Sequence, residues 1–396
     1  MSTAPLDLAQ RFGTPLYVYD LALVRRQARA LRAALPYEPL QLLYAIKANP
    51  CPAVVKVLID EGFGIDAVSP GEVAMALRCG CPAERVLYTE NNATDDDLQA
   101  ALEVGVLVTC GSLDRLRRLG ELGGREAAVR INPDVGAAEH AHTLTAGPLT
   151  KFGIHHSQTA AIASIEADTG IRVIGAHMHI GSNVLEADKF VAAMEVILGV
   201  AKELKHLRFI DFGGGLGVPY REDQAALDLS TLGAQAESLM RSFCAGYGRK
   251  LELRLEPGRF LVAESGQLLT SVAAVKTNPD GRCFVGTDTG FNHLIRPCMY
   301  GSYHPIANLS STAAPKVVDV VGNVCESGDV FARDRAIAEP KLGDVLAIGF
   351  AGAYGMSMAS TYNLRPLPAE VVVDGDTVAV ARQRKTTDDL IAQWEW

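Results

Sequence analysis

The stretch FIDFGGGLG, residues 209–217, joins a short apolar run to three consecutive glycines. Such a run predicts a buried β-strand, and the glycines predict a loop whose backbone closely approaches another group. Similar runs recur along the chain, and most are separated by helix-like segments with apolar residues at three- and four-residue spacing. The strand-like runs are 42–46, 64–68, 86–89, 106–109, 127–131, 173–179, 208–212 and 251–256.

This alternation predicts an α/β fold containing a (β/α)₈ TIM barrel, because eight successive βα units close a parallel sheet on itself. From the pattern alone, an open doubly wound sheet remains the alternative. After residue 265 the segments become β-rich, and Asp374–Gly375 between valine-rich arms predicts a hairpin. We therefore expect a barrel over 26–265 and a C-terminal all-β domain over 266–396. The strand-like LYVYD within residues 1–25 is expected to complete this second domain.

The composition excludes several classes of protein. Of the 396 residues 48% are hydrophobic and the net charge is −9, which argues against nucleic acid as a partner. The N-terminal segment lacks the pattern of a signal peptide, and no run of about 18 apolar residues predicts a membrane span. The eight cysteines show no zinc-type spacing. These features predict a cytoplasmic protein with reduced thiols and no membrane partner.

Functional-looking residues lie where the predicted strands end, namely Lys47, His179, the loop Gly213–Gly215 and Glu256. A (β/α)₈ barrel carries its functional groups at the carboxyl ends of its strands. A partly desolvated lysine there forms a Schiff base with an aldehyde, and a glycine loop binds phosphate through its N–H groups. A carboxylate stabilises a protonated pyridine nitrogen. Together these groups predict a site for pyridoxal 5′-phosphate.

Each of these residues also has an ordinary structural interpretation. Lys47 would then be a surface lysine, the glycines a tight turn, and Glu256 with Arg259 an ion pair at the barrel rim. His177 and His179 alternate on one predicted strand and suggest a metal pair. No third ligand stands at a convincing position, so no metal is predicted.

Ordered motifs give the chain a resemblance to a known family. They are GTPLYVYD, YAIKANP, KFGI, HMHIGSN, DFGGGLGVPY, EPGRFLVAESG, FNHLIRPCMYGSYHPI, CESGDVFARDR and GAYGMSMASTYN, and they span about residues 10 to 375. In this order they resemble the fold-type III pyridoxal-phosphate decarboxylases, and among these the diaminopimelate decarboxylases. The resemblance implies an alanine-racemase-like barrel with a β-domain, and a homodimer with shared active sites.

The resemblance also implies roles for individual residues. Lys47, His179 and Cys325 would be catalytic, with Lys47 as the Schiff-base lysine, His179 stacked on the ring and Cys325 as a proton donor from the partner subunit. The implied cofactor-binding residues are Lys47, Asp66, Arg130, His179, Ser182, Gly213, Gly214, Gly215, Glu256, Gly258, Arg259 and Tyr354. The implied substrate-binding residues are Arg259, Arg296, Tyr300, Glu326 and Tyr354.

The resemblance implies decarboxylation of a small amino acid, meso-diaminopimelate, to L-lysine and CO₂. The Cys-Glu pair at Cys325 favours this substrate, since relatives acting on ornithine usually carry Cys-Asp. Asn183, Thr150 and His293 depart from the usual family residues at their positions. They leave open a decarboxylase of another amino acid, such as lysine, ornithine or a carrier-bound glutamyl group. An amino-acid racemase and a non-catalytic pyridoxal-phosphate protein are further alternatives.

Overall fold

The structure is a computed structural model, and it describes residues 3–134, 147 and 150–395. The chain forms two compact units. The first consists of residues 1–26, 220–224 and 261–396, and the second of residues 27–219 and 225–260. The domain boundaries expected from the sequence, 26–265 for the barrel and 1–25 with 266–396 for the β-domain, stay a prediction.

The described residues form helices and strands with the following bounds. The helices are α1 (Pro5–Phe12), α2 (Leu21–Ala34), α3 (Pro52–Asp60), α4 (Pro70–Arg78), α5 (Asp95–Val104), α6 (Leu113–Glu121), α7 (Ala160–Thr169), α8 (Ala187–Ala201), α9 (Leu229–Tyr247), α10 (Arg259–Val262), α11 (Arg296–Tyr300) and α12 (Thr387–Ile391). The strands are β1 (Leu16–Asp20), β2 (Leu40–Ala45), β3 (Gly64–Ala67), β4 (Val86–Thr89), β5 (Leu107–Cys110), β6 (Glu126–Asn132), β7 (Ile154–His155), β8 (Arg172–His177), β9 (Phe209–Asp211), β10 (Glu252–Leu255), β11 (Gly266–Thr277), β12 (Cys283–Thr287), β13 (Ile306–Asn308), β14 (Pro315–Val321), β15 (Val330–Ala338), β16 (Val345–Ile348), β17 (Ala369–Asp374) and β18 (Thr377–Arg382).

The second unit is a closed parallel barrel. Its strands follow the order β2-β3-β4-β5-β6-β8-β9-β10, and β10 pairs with β2 to complete the ring. Every neighbouring pair in this ring is parallel, and β7 adds to β6 outside it. The predicted (β/α)₈ barrel is therefore confirmed, and the open sheet is excluded by the ring closure.

Local sequence signals set the helices around the barrel. The side chain of Thr94 accepts a hydrogen bond from the backbone N–H of Asp97, and the Asp97 side chain accepts one in return, which starts α5 with a capping box. Gly105 ends α5 in the left-handed conformation with φ of 76°, which costs glycine little. Buried residues of α8, such as Phe190, Met194 and Ile197, recur at helical spacing and form its core-facing side.

The first unit is built on a mixed sheet in the order β15-β14-β12-β11-β1-β17-β18, with β13 and β16 paired beside β11. β1 lies between β11, which is antiparallel to it, and β17, which is parallel. The N-terminal strand therefore completes this β-domain, as expected from LYVYD. Gly375 turns the predicted hairpin between β17 and β18 with φ of 57°. Helices α1, α11 and α12 and strands β13 and β15 were not predicted.

The barrel strands end slightly before two of the predicted site residues. β2 ends at Ala45, and Lys47 lies in the 3₁₀ turn Ile46–Ala48 that follows. β8 ends at His177, so His179 lies in the loop beyond it. The sequence pattern had placed His179 on the strand, and that prediction is wrong. The pairing of β8 with β9 stops at His177 and Asp211, after which the chain leaves the sheet. In the described part of the chain, no helix combines the length and apolar character needed to cross a bilayer.

Candidate active site

Lys47 forms an ion pair with Asp66 at the barrel mouth. Its Nζ atom lies 2.8 Å from Oδ2 of Asp66, and the lysine side chain is 34% exposed whereas the aspartate is fully buried. Asp66 is in β3, whose four residues are all buried. The amine is thus held by a desolvated carboxylate while its approach from the mouth stays open, an arrangement suited to a nucleophilic lysine.

Two buried polar atoms near this pair lack a hydrogen-bond partner among the described residues. They are Oδ1 of Asp66 and Nη2 of Arg130. Arg130 is in β6, its guanidinium lies 4.6 Å from the centre of the Phe152 ring, and burial lowers its pKa to about 10. Because unpaired buried polar atoms are costly, these two atoms indicate that a polar ligand binds at the barrel mouth.

The glycine loop follows β9 and runs against neighbouring backbone. A Cβ atom on Gly213 or Gly214 would overlap a carbonyl oxygen of the adjacent loops, and one on Gly215 would lie 2.6 Å from Gly181 O. Gly213 and Gly215 also have φ of 68° and 102°. Glycine is therefore required at this loop because neighbouring backbone packs directly against it. The role of the loop in binding a phosphate stays a prediction.

The same loop orients His179. The backbone N–H of Gly214 donates a hydrogen bond of 3.1 Å to Nδ1 of His179, which leaves the proton of the neutral ring on Nε2. Burial lowers the pKa of His179 well below its usual value, and the positive charges of Arg130 and Lys47 act in the same direction. The imidazole is therefore neutral at pH 7, and its plane is set by backbone.

Glu256 directly follows β10 and is almost fully buried. Its Oε2 atom lies 3.0 Å from Nε2 of His177, and its backbone N–H donates to Gly213 O at 2.8 Å. Burial raises the pKa of Glu256 to about 8, with a contribution from the nearby Asp66 charge. Sequence reasoning did not identify His177 as a partner of this carboxyl. It also missed the buried Asp211, because nothing in the sequence pattern sets this aspartate apart from others.

Arg259 begins α10 and reaches the loop after β8. Its Nη2 atom donates a hydrogen bond of 2.9 Å to Oγ of Ser182. Gly258 is packed against the turn that carries Lys47, since a Cβ atom there would lie 3.1 Å from Cβ of Ala45 and 3.2 Å from Cβ of Ala48. The EPGR segment, residues 256–259, therefore contacts both the loop after β8 and the turn that carries Lys47. The predicted barrel residues all lie in the second unit.

The remaining predicted residues belong to the first unit, where Arg296 is buried at the start of α11. Its Nη1 atom lies 3.0 Å from Nε2 of His304, and Nη2 donates to Oγ of Ser302 at 3.2 Å. His304 Nδ1 lies 2.9 Å from the carbonyl oxygen of Gly349, so Nδ1 carries the proton and Nε2 accepts from the arginine. The guanidinium also lies 4.7 Å from the centre of the Tyr220 ring.

Cys325 and Glu326 lie in an exposed loop of the same unit. Tyr362 donates a hydrogen bond of 2.7 Å to Oε1 of Glu326, and Asn363 Oδ1 accepts from the backbone N–H of Cys325 at 3.3 Å. Buried Asp329 anchors the loop by accepting backbone hydrogen bonds of 2.6 and 2.7 Å. Neither Tyr362 nor Asp329 was predicted, although both lie inside the quoted motifs.

The three departures from the family pattern have structural partners. Asn183 Oδ1 accepts from the backbone N–H of Val218 at 2.9 Å, and His293 Nδ1 lies 2.9 Å from Oγ1 of Thr289. Thr150 donates to Gly147 O at 3.0 Å. Tyr300 ends α11, and Tyr354 adopts a left-handed backbone with φ of 56°. The departures are therefore accommodated by local hydrogen bonding.

The barrel residues fit pyridoxal phosphate. A lysine beside a buried carboxylate suits its aldehyde, a glycine loop suits its phosphate, and a buried carboxyl group on a neighbouring strand suits its ring nitrogen. The unsatisfied atoms of Asp66 and Arg130 leave hydrogen-bonding capacity for such a ligand. This fold and this set of side chains define a pyridoxal-phosphate enzyme of the barrel class.

Comparison with known proteins assigns the family. Residues 21–263 match the model described as pyridoxal-dependent decarboxylase, pyridoxal binding domain. Diaminopimelate decarboxylase of Methanothermobacter thermautotrophicus is 44% identical over 98% of this chain and 92% of its own length. The Pseudomonas aeruginosa diaminopimelate decarboxylase is 39% identical over 97% of this chain and 94% of its own. The chain belongs to the pyridoxal-dependent decarboxylases, and it is a carboxy-lyase that uses pyridoxal phosphate.

Solved structures support the same assignment. Diaminopimelate decarboxylase from Helicobacter pylori complexed with L-lysine has a TM-score of 0.91 and 31% identity, covering 98% of this chain and 99% of that one. Lysine/ornithine decarboxylase from Vibrio vulnificus complexed with cadaverine has a TM-score of 0.82 and 25% identity, covering 93% of this chain and 95% of that one.

Proposed function

We propose that this chain removes one carboxylate from meso-diaminopimelate and releases L-lysine and CO₂. The observation that carries the choice of substrate is the identity of 44% to a diaminopimelate decarboxylase over 98% of the chain. The similar Helicobacter pylori enzyme was crystallised with L-lysine, which is the compound left when diaminopimelate loses one carboxylate. The similarity to a lysine/ornithine decarboxylase is weaker, with 25% identity.

The barrel residues would hold the cofactor. Lys47 would bind its aldehyde through Nζ, with Asp66 fixing the amine, and the Gly213–Gly215 loop would bind the phosphate through backbone N–H groups. Glu256 would bind the ring nitrogen, and neutral His179 would lie against the ring. When bound, pyridoxal phosphate supplies the electron sink for the bonding pair left by departing CO₂.

The remaining cofactor assignments concern the surroundings of these groups. Arg130 would support the ring and the lysine from β6. Ser182 and Gly258 would line the phosphate end, where Arg259 would contact phosphate, substrate or both. Tyr354 would contribute its hydroxyl to the same phosphate.

Substrate recognition would depend on charge at the far end of the molecule. The guanidinium of Arg296, oriented by Ser302 and His304, would bind the distal carboxylate, and Tyr300 would hydrogen-bond to it. Glu326 would bind the distal ammonium. A substrate with both charges far from the reacting carbon, such as diaminopimelate, satisfies this pair, whereas ornithine lacks the distal carboxylate.

The proton that replaces CO₂ would come from Cys325. Its exposed loop, held by Asp329, would reach the barrel mouth of a partner subunit, so the active unit would be a homodimer with shared sites. Sγ would then donate to the carbon that lost CO₂. We also propose a cytoplasmic location, because all eight cysteines are free thiols, as expected in a reducing compartment.

A substrate panel tests the proposed reaction. The purified protein loaded with pyridoxal phosphate is incubated with meso-diaminopimelate, L- and D-lysine, L- and D-ornithine and glutamate, and released CO₂ and amine products are measured. We expect CO₂ and L-lysine in equal amounts from diaminopimelate alone. Release of CO₂ from a different member only would contradict the proposed substrate.

Glu326→Gln tests the distal contact. Where the partner subunit covers this exposed carboxylate, loss of its charge-assisted contact costs about 1–3 kcal/mol, so we expect KM for diaminopimelate to rise by at least several-fold with little change in kcat. The matched control is Glu339→Gln, an exposed glutamate in the same unit that pairs with Lys316. Equal kinetics for the two variants would show that the distal ammonium is bound elsewhere.

A further inference from the structure

Two buried titratable residues that the proposed reaction does not use lie against Glu256. Nε2 of His177 is 3.0 Å from Oε2 of Glu256, and the two side chains are 0% and 3% exposed. Asp211 is also buried. A polar side-chain atom of each of these three residues lies within 4.8 Å of those of the other two.

Neighbouring barrel strands bring the three groups together. His177 is the last residue of β8, and Asp211, the last residue of β9, is its partner in the strand register. Glu256 follows β10, the next strand of the ring. Asp211 also accepts a hydrogen bond of 2.8 Å from the backbone N–H of Gly213 through Oδ1, which ties the cluster to the glycine loop.

The burial of two carboxyl groups side by side favours a proton on Asp211. When the proton of His177 is on Nε2 and donates to Glu256, Nδ1 is an acceptor. Neither this Nδ1 nor Oδ2 of Asp211 has a hydrogen-bond partner among the residues that the structure describes. No hydrogen bond joins these two atoms, so an ionised Asp211 would be a buried charge without a donor on Oδ2, which favours the neutral acid.

Groups around the cluster shift the pKa of Glu256 in opposite directions. Lys47 and Arg130 lower the pKa of Glu256, whereas burial and Asp66 raise it. Burial lowers the pKa of His177 to about 4, which keeps the imidazole neutral at pH 7.

On Asp211, burial and the charge of Glu256 raise the pKa well above its usual value. His177 and Arg254 lower the pKa of Asp211, but by less than burial and Glu256 raise it. Imidazole and Asp211 are thus both uncharged at neutral pH. With a pKa of about 8 Glu256 is mostly protonated at pH 7 as well, and because positive charges lower its pKa it is the group that a cation beside it would ionise.

We propose that His177 and neutral Asp211 are positioning residues that orient the Glu256 carboxylate and so set the protonation of the cofactor's ring nitrogen. This inference rests on the proposed contact between Glu256 and that nitrogen. His177 donates to Oε2 of Glu256, so Oε1, which accepts a long hydrogen bond of 3.5 Å from Oγ1 of Thr89, would be the oxygen that binds the ring. Asp211 holds the glycine loop through Oδ1 and, being neutral, places no second negative charge beside Glu256.

Two substitutions of His177 separate positioning from mere filling of space. In His177→Gln the amide nitrogen takes the place of Nε2 and keeps the donor to Glu256. In His177→Asn the amide reaches only the place of Nδ1, so the donor is lost while a polar side chain of similar burial remains. Both variants are checked for folding by circular dichroism and thermal melting.

The measurement is the ¹⁵N NMR signal of pyridoxal phosphate labelled at its ring nitrogen and bound to the protein, followed over pH. For His177→Gln we expect the wild-type titration. For His177→Asn we expect the ring nitrogen to lose its proton at least one pH unit lower, a tenfold change in its protonation constant. Identical titrations for the two variants would overturn the proposal.

Asp211→Asn tests the charge of Asp211. An amide resembles a neutral carboxylic acid in size and in its donor, so we expect a ring-nitrogen titration like that of the wild type. A shift of one pH unit or more would mean that Asp211 is ionised and would also overturn the proposal.

Glu256→Gln distinguishes a failure of this inference from a failure of the proposed function. If that variant keeps the wild-type ring-nitrogen titration, the contact between Glu256 and the ring is wrong, and the His177 proposal falls with it. A shifted titration in Glu256→Gln together with equal titrations in the two His177 variants rejects only the positioning role. The substrate assignment does not enter, because the measurement uses no substrate.

Discussion

The hydroxyl of Tyr362 donates a hydrogen bond of 2.7 Å to Glu326, and the Tyr362 ring stacks on Phe291 with centroids 5.8 Å apart. The hydrogen bond to Glu326 raises the pKa of Tyr362 to about 12, so the hydroxyl remains a donor throughout the physiological range. Tyr362 therefore fixes the direction of the carboxylate that we assign to the distal ammonium.

Tyr362→Phe keeps the ring and removes this hydrogen bond. We expect KM for diaminopimelate to rise a few-fold while kcat changes little, because the carboxylate becomes less well oriented before substrate binds. Steady-state kinetics measure the effect, with 2-aminopimelate as the matched control because it lacks the distal ammonium. A similar loss with both substrates would show that Tyr362 does not act through Glu326.

Lys47→Ala removes the amine that lies beside Asp66. We expect the variant to fold and to lose the visible absorbance of covalently held pyridoxal phosphate, together with all turnover. Absorption spectra after dialysis give the readout. Lys56→Ala, which removes an exposed lysine of α3, is the matched control and should keep both colour and activity. Colour and turnover in Lys47→Ala would refute the assignment of the lysine.

Gly214→Ala inserts a Cβ atom where the backbone of Glu256 already lies. The loop must shift, so we expect a loss of about 1–3 kcal/mol in the free energy of unfolding and weaker binding of pyridoxal phosphate. Gly199→Ala in α8 is the matched control, because a Cβ atom there meets nothing within 4 Å. It should be neutral or stabilising by up to about 1 kcal/mol. Urea unfolding and cofactor titration compare the two variants.

The barrel could be predicted from the sequence because its strands are short, apolar and buried on both faces. Helical segments with their own caps, such as α5 after Thr94, separate several of them. Lys47 and Glu256 could be predicted because a barrel concentrates function at strand ends. β15 was missed because its edge position leaves several charged residues exposed, which removes the apolar signal.

Contacts between residues that are far apart in the sequence could not be predicted from the sequence pattern. His177 and Glu256 are separated by 79 positions and meet only because β8, β9 and β10 are neighbours in the closed ring. Tyr362 and Glu326 are separated by 36 positions, and Asp329 and Phe291 by 38. Such contacts depend on tertiary packing, which local periodicity does not encode.

In His293→Asn the free energy of unfolding should fall less steeply as the pH is lowered than in the wild type. Burial, together with the charges of Arg365 and Arg384, lowers the pKa of His293 from 6.5 to about 4. In the unfolded chain this histidine takes up a proton near pH 6.5, whereas in the folded chain it resists protonation to about pH 4. Its contribution is therefore fully present above pH 6.5 and is lost as the pH falls from 6.5 to 4, by roughly 3 kcal/mol in total.

Urea unfolding of the wild type and His293→Asn between pH 4 and 8 measures this difference. Asn retains a partner for Thr289, which lies 2.9 Å from Nδ1 of His293, but it does not titrate. The other buried histidines are present in both proteins, so their effects cancel when the two profiles are subtracted. Parallel profiles over this range would show that His293 is protonated equally in the folded and unfolded chains, and burial would then not be what disfavours its charge.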